Sequence, residues 1–211
     1  MLVSLANIVN HAFNYVILTS KLYNIDESHA LKHSMDVFHT TNKIYISEVK
    51  NFPFLETQRE IIYSAAILHD MCDKKYMSEE KGVENMKIYM CDFMTETDLD
   101  ISSKIISSMS YSTVKKNGYP DLKEYQLAYN IVREADLLTS YDVDRCIIYG
   151  LMVANLTYEE AVKRAVELFD KRTFKYRSDN LFTTDYALYE SSVLHKKALV
   201  DIEYLQNLQL K

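Results

Sequence analysis

The chain has 211 residues, 48% of them apolar, and a formal charge of −6. That length suits one domain with a full core, and the apolar fraction excludes a disordered polymer. The negative balance argues against a nucleic-acid binder, which needs a basic face.

Three Gly and two Pro leave few places to break a helix, so long helices with short connections are expected. The apolar start (MLVSLANIVNHAFNYVILTS) has no basic flank, and Asn7, Asn10, His11 and Asn14 interrupt it. It reads as an amphipathic helix over about residues 2–20, with Leu2, Leu5, Ile8/Val9 and Ala12/Phe13 as its buried stripe. A signal peptide or membrane span is not expected. Residues 23–28 read as a loop with a capping residue, and a second helix over 29–49 places His33, Val37, Thr40/Thr41 and Ile44 on one face. After Pro53 a third helix is expected over 56–72, with Ile61, Ala65 and Leu68 in the core and His69-Asp70 at its far end. Helices over 78–94 and 99–109 precede a loop over 111–122 that contains Gly118 and Pro120. A helix over 124–138 carries Leu127, Ile131, Ala135 and Asp136. Thr157-Tyr-Glu-Glu160 is a capping box that opens a helix to about residue 174, and a last helix spans roughly 185–208. The apolar residues of that last helix (Tyr186, Leu188, Val193, Leu194, Leu199, Ile202, Leu205) suit either a cover for the domain's own core or the seam of a homodimer. Residues 1–150 thus read as one α-helical domain, with 151–211 as a helical extension packed on it. Cys72, Cys91 and Cys146 are odd in number and lack C-x-x-C spacing, which fits a reduced, cytoplasmic setting.

Four residues carry chemistry. His33, the adjacent pair His69-Asp70, and Asp136 each sit in an apolar, helix-periodic stretch, where an idle polar group is costly to bury. Taken singly, each is better explained as a hydrogen-bonded core residue. Together, carboxylates at the ends of two apolar runs (IIYSAAILHD and YQLAYNIVREAD) call for a common partner, and a cation is the simplest one. Two imidazoles and two carboxylates suit one divalent transition metal: Mn, Fe, Co, Ni or Zn.

The wider strings resemble a known family. SHALKHSMDV is similar to the S-H-x-x-x-H-x-x-x-V opening of the HD superfamily of metal-dependent phosphohydrolases, and AAILHDMCDKK to its A-A-x-L-H-D-x-x-D-x-K core. IISSMSYS with IVREADLL resembles segments of its small uncharacterised members. The resemblance covers about residues 23–150 and implies an all-α, HD-domain helical bundle with His33, His69, Asp70 and Asp136 as metal ligands. His29, one turn before His33, is then either a support for the ligands or a contact to substrate, with plain capping as the simpler role. Two departures stand out: Ser108 replaces a family histidine, and Leu137 stands where the relatives carry arginine. The interval from Asp70 to Asp136 holds no histidine, whereas members with two metals draw ligands from it. The resemblance therefore implies one metal and disfavours oxygenase chemistry.

Such a site makes hydroxide available at neutral pH and polarises a phosphoryl group. Asp73, about one turn beyond Asp70 if the helix continues, is the candidate for orienting water or protonating the leaving group, and a surface carboxylate is its plain alternative. Lys75 matches the family's lysine as a phosphate clamp, with Lys74 beside it. Lys115 and Lys116, in the YSTVKKNG loop, could close over a substrate, though solvated lysines are commoner there. Arg133 could reach a phosphate or pair with a neighbouring helix. The expected function is hydrolysis of a small phosphate ester, a nucleotide or related metabolite. The alternatives are a catalytically silent domain that binds a nucleotide or a protein, and a lyase or oxygenase on the same scaffold. No nucleic-acid or membrane partner is expected.

Overall fold

In the computed structural model, which describes residues 4–208, the chain is an all-α bundle with no strand among the described residues. Helix α1 (Leu5–Tyr23) starts at Ser4, whose hydroxyl accepts from the Asn7 N–H, and it ends at Asn24 in the left-handed region (φ 52°). It buries Ile8, Ala12, Tyr15 and Val16; Leu2 of the expected stripe lies outside the described residues. Helix α2 (Leu31–Glu48) turns His33, Val37, Thr41 and Ile44 inward, three or four residues apart and so on one face.

Helix α3 (Arg59–Leu68) is the axle of the bundle. Every side chain from Ile61 to Leu68 is buried, and the helix packs against α1, α2 and two later helices, α5 (Glu96–Ser108) and α7 (Gln126–Thr139). Burying Ile61, Ile62, Ile67 and Leu68 contributes about 2 kcal/mol each. The helix is shorter at both ends than its apolar pattern suggests. Residues Pro53–Gln58 form a 3-10 helix, and the chain leaves α3 at His69 through tight turns, with the Met71 N–H donating to the Leu68 carbonyl at 2.9 Å.

Helix α4 (Glu79–Met90) and α5 match the expected elements. The expected loop over 111–122 is half helix. Ser110 accepts from the Thr113 N–H and starts α6 (Tyr111–Asn117), which Gly118 stops at φ 78°. Helix α8 (Val143–Met152) has no counterpart in the sequence expectations. It is capped by Asp142 and packs closely on α9 (Tyr158–Lys171), because a Cβ at Gly150 would lie 2.8 Å from that of Ala161. The capping box forms as expected, with Thr157 and Glu160 bonding reciprocally.

Helix α10 (Asp185–Gln206) lies against α2 and α7. It turns Ala187, Ser191, Ala198 and Ile202 inward, while Leu188, Val193 and Leu199 are exposed. Small residues let the helices approach closely, so the larger apolar side chains point away. One continuous core runs from Ile8 through Phe169 and Tyr176 to Ile202, so residues beyond 150 share the core of those before it. No described helix is long and apolar enough to cross a membrane.

Candidate metal centre

The site forms where α2, the end of α3, α7 and α8 meet. His33 stands in the first turn of α2. The His69 ring folds back over the end of α3, its Nδ1 2.9 Å from the Ala66 carbonyl, one of the terminal carbonyls without an intrahelical partner. That bond puts a proton on Nδ1 and aims Nε2 at the cluster. Asp70 occupies the turn that follows, and Asp136 is the eleventh residue of α7.

The donor atoms converge. His33 Nε2 and His69 Nε2 are 3.0 Å apart. Asp70 Oδ2 is 3.3 Å from each of them, and Asp136 Oδ1 is 3.4 Å from His33 and 3.7 Å from His69. Ligand arms of about 2.1 Å give donor–donor edges of about 3.0 Å in an octahedron and 3.4 Å in a tetrahedron. The observed spacings run from those edges to slightly beyond, so His33, His69 and Asp136 have the convergence one small cation needs, and Asp70 Oδ2 stands beside both imidazoles. Asp70 Oδ2 is buried and accepts no hydrogen bond, as expected of an oxygen meant for an ion.

Burial, helped by the Arg145 charge, pushes the His33 imidazole down to about 4, so it is a neutral donor at physiological pH. Burial also opposes charge on His69, but the carboxylates of Asp70 and Asp136 outweigh it and hold that imidazole up at about 9. Against the upward push of burial, the histidines keep both carboxyls below their ordinary range, His69 foremost for Asp70 and the His33 hydrogen bond foremost for Asp136.

One functional side chain escaped the sequence reading. Arg145, from α8, spreads its guanidinium across the cluster, Nη2 3.7 Å from Asp70 Oδ2 and Nη1 3.7 Å from Asp136 Oδ1. Its Nε donates to the Ser28 carbonyl at 2.6 Å, which fixes the fork. Leu137 occupies the position at which the resemblance led one to look for an arginine; the cationic group arrives from eight residues further on. The available signal was Asp142, a good helix cap ahead of apolar residues at 143, 147 and 150.

The cluster opens into a cavity of about 390 Å³ lined by His29, Asp73, Lys74, Lys75, Arg145 and Tyr149 among others. His29 precedes α2 and is held in a small network. Its Nδ1 lies 2.7 Å from Ser28 Oγ, and Lys75 Nζ donates to its Nε2 at 3.1 Å. Asp73 is not on a continuing helix. Its carboxylate accepts from the Lys75 N–H at 2.8 Å and sits 3.3 Å from Lys75 Nζ. Lys115, Lys116 and Arg133 are elsewhere. Arg133 is buried, donates to the Leu181 carbonyl at 3.1 Å and lies over the Tyr119 ring; Lys115 shares a separate cavity with it, and Lys116 is exposed. The long arginine cannot turn back to the cluster because the packed interior on its own side of α7 holds it.

No protein-family model matches the chain, and no curated protein does. Among solved structures, the chain is similar to a Lactobacillus plantarum protein whose crystal structure was determined as a structural-genomics target. The TM-score is 0.72 at 18% identity, over 98% of this chain and 97% of that one. The two share a fold. The match extends through α9 and α10, so the C-terminal helices belong to that architecture too.

Asp26 braces this wall from behind. Its carboxylate accepts from the Ser28 N–H at 3.0 Å, from the Ser28 hydroxyl and from the Tyr76 hydroxyl. Burial alone would raise its carboxyl, but the bonds from His29, Ser28 and Tyr76 win and lower it. A carboxyl lowered on folding stabilises above its unfolded value near pH 4 and loses that contribution as the pH falls through the folded one. Asp26→Asn is therefore expected to cost about 2 kcal/mol at pH 7, the scale of charged hydrogen bonds. The gap to wild type in urea unfolding should narrow steadily below pH 4. A gap that stays constant with pH would contradict the role given to this carboxylate.

Proposed function

We propose that this chain is a metal-dependent phosphohydrolase of the HD type, acting on a small phosphate ester of the nucleotide kind. What supports the reading best is the convergence of His33, His69 and Asp136, with Asp70 beside them, next to a guanidinium and at the base of a cavity. Bound there, a divalent transition ion supplies Lewis acidity, lowering the pKa of a water from 15.7 toward about 7 and polarising a phosphoryl oxygen.

The chain's own groups do the rest. Arg145 is placed to take a phosphoryl oxygen next to the cluster, its fork held by the Ser28 carbonyl. Lys75, between Asp73 and His29, neutralises charge on the ester. Asp73 and His29, both in the cavity wall, can hold the proton that the leaving oxygen needs. In the reaction the water oxygen bonds to phosphorus, the ester P–O bond breaks, and the departing alkoxide takes up a proton. The three cysteines are unpaired, which accords with the reducing, cytoplasmic setting assumed for such an enzyme. No nucleic-acid partner is part of this reading, and association through α10 into a homodimer is left to a solution measurement.

Phosphate release from a panel of nucleotides and sugar phosphates, with added Mn or Co and with chelator, tests the reading. Metal-dependent release is expected. Arg145→Ala should retain the metal and lose at least about tenfold in turnover, the scale of one charge-assisted hydrogen bond. Metal retention with no turnover on any ester would overturn the hydrolase in favour of a binding module.

A further inference from the structure

The cavity carries more positive charge than one phosphoryl group requires. Arg164 and Leu168 of α9, and Arg172 just past its end, line one wall of it. The Arg164 guanidinium lies over the Tyr149 ring at 4.9 Å, and that of Arg172 over the Tyr111 ring at 4.4 Å. Arg172 Nε donates to the Tyr176 hydroxyl at 2.7 Å. Among the described residues the ion pairs between arginine and carboxylate are those of Arg145, so Arg164 and Arg172 have no anionic partner. A guanidinium stacked on a ring keeps its N–H edge free in the plane, the geometry that grips an oxyanion.

Tyr149 links the two ends of the cavity. Its ring centroid is 5.6 Å from that of His29 and 5.7 Å from Lys75 Nζ, and Arg164 covers it. Arg145 is the cation at the His/Asp cluster, Lys75 and Arg164 meet at Tyr149, and Arg172, just past the end of α9, lies over the Tyr111 ring. The cations are thus spread over two different rings, Tyr149 and Tyr111. Arg145 and Lys75 already face carboxylates, whereas Arg164 and Arg172 do not, so in a chain of charge −6 these two are the cations of the cavity left for an anionic ligand.

We infer that Arg164 and Arg172, with Tyr149 and Tyr111 behind them, form a subsite for a second phosphate, so that the substrate is an oligophosphate such as a nucleoside di- or triphosphate rather than a monophosphate. This rests on the hydrolase reading for its chemistry, but not for its binding. Both arginines lie in the segment after residue 150. The C-terminal helices thereby complete the cavity and set its specificity.

The test is calorimetric binding of inorganic pyrophosphate and of orthophosphate, to chelator-stripped protein and to protein with one equivalent of Mn. Pyrophosphate is expected to bind at least about tenfold more tightly than orthophosphate. Arg164→Gln and Arg172→Gln should each remove about tenfold of that affinity, one charged hydrogen bond, and leave orthophosphate unchanged. Arg172→Lys, which keeps the charge where Arg172→Gln could disturb Tyr176, should restore part of the loss. Equal affinity for the two anions in both arms, or arginine variants that bind pyrophosphate like wild type, would overturn the subsite and mark the arginines as solvated. Arginine-dependent pyrophosphate binding without turnover of any phosphate would keep the subsite and discard the hydrolase. Turnover of monophosphates, with pyrophosphate bound equally well by wild type and both variants, would do the reverse.

Discussion

Asp70→Ala is expected to empty the protein of retained metal. Wild-type protein purified without chelator should hold about one divalent transition ion per chain by elemental analysis, as two imidazoles and two carboxylates provide for. Asp70 Oδ2 lies 3.3 Å from both imidazole nitrogens and has no hydrogen bond of its own, so nothing else in the cluster can take over its place. Loss of a group that merely supports a ligand costs 10–100-fold in affinity. Loss of the ligand should therefore exceed about 100-fold, and His33→Ala should match it. Asp73→Asn is the control. That carboxylate faces the same cavity but is occupied by the Lys75 N–H, so metal content should stay at the wild-type level. Added Mn should raise the wild-type melting temperature, since an ion that binds only the folded state stabilises it by about 4 kcal/mol at a thousandfold excess over Kd. The Asp70→Ala protein should show no such rise. A wild-type chain that takes up no Mn, Co or Zn would sink the metal centre.

The helices and the cluster differ in how far sequence exposes them. His33, His69, Asp70 and Asp136 stand out because each interrupts or ends an apolar run of helical period, and that period says which residues share a face. The period fails where a helix stops. Beyond Leu68 the His69 ring bonds back to Ala66, the chain turns, and Asp73 is set by that turn rather than by a further helical step. Arg145 lies across a second such break. Its approach to Asp70 and Asp136 depends on the angle at which α8 leaves Asp142, a tertiary quantity with no signature in spacing. The same holds for α9. Thr157 and Glu160 announce its start, yet which side faces the cavity follows from the contact of Gly150 on Ala161. Lys115 and Arg133 do come together, but in a separate cavity, because the Leu181 carbonyl and the Tyr119 ring hold the Arg133 guanidinium there.

Glu134→Ala is expected to be strongly destabilising, at about 3–5 kcal/mol, although it lies outside the His/Asp cluster. Glu134 is buried on α7, and its carboxylate accepts four hydrogen bonds from one short segment. Oε1 takes the Thr183 N–H at 2.8 Å and hydroxyl at 2.6 Å; Oε2 takes the Thr184 N–H at 3.1 Å and hydroxyl at 2.7 Å. Those residues lead into α10, whose first N–H, from Asp185, donates to Glu48 of α2 at 3.3 Å. Two glutamates thus tie α10 to α7 and α2 where an uncapped helix start would otherwise leave buried donors. Alanine strands two amides that have no rotational escape, whereas the hydroxyls can turn to other acceptors. Glu134→Gln should cost less, about 2 kcal/mol, because one amide oxygen still serves one threonine while its NH₂ faces the other's donors. Urea unfolding measures both. The order wild type, Gln, Ala is the expected result, and an alanine variant within about 0.5 kcal/mol of wild type, the range of an inert surface change, would show that the segment finds other acceptors. Because Glu134 precedes Asp136 by two residues on α7, the same anchor sets the depth at which Asp136 meets the histidines. Stability and site geometry should therefore fall together: folded Glu134→Gln protein should bind Mn more weakly than wild type although none of the four ligands has changed.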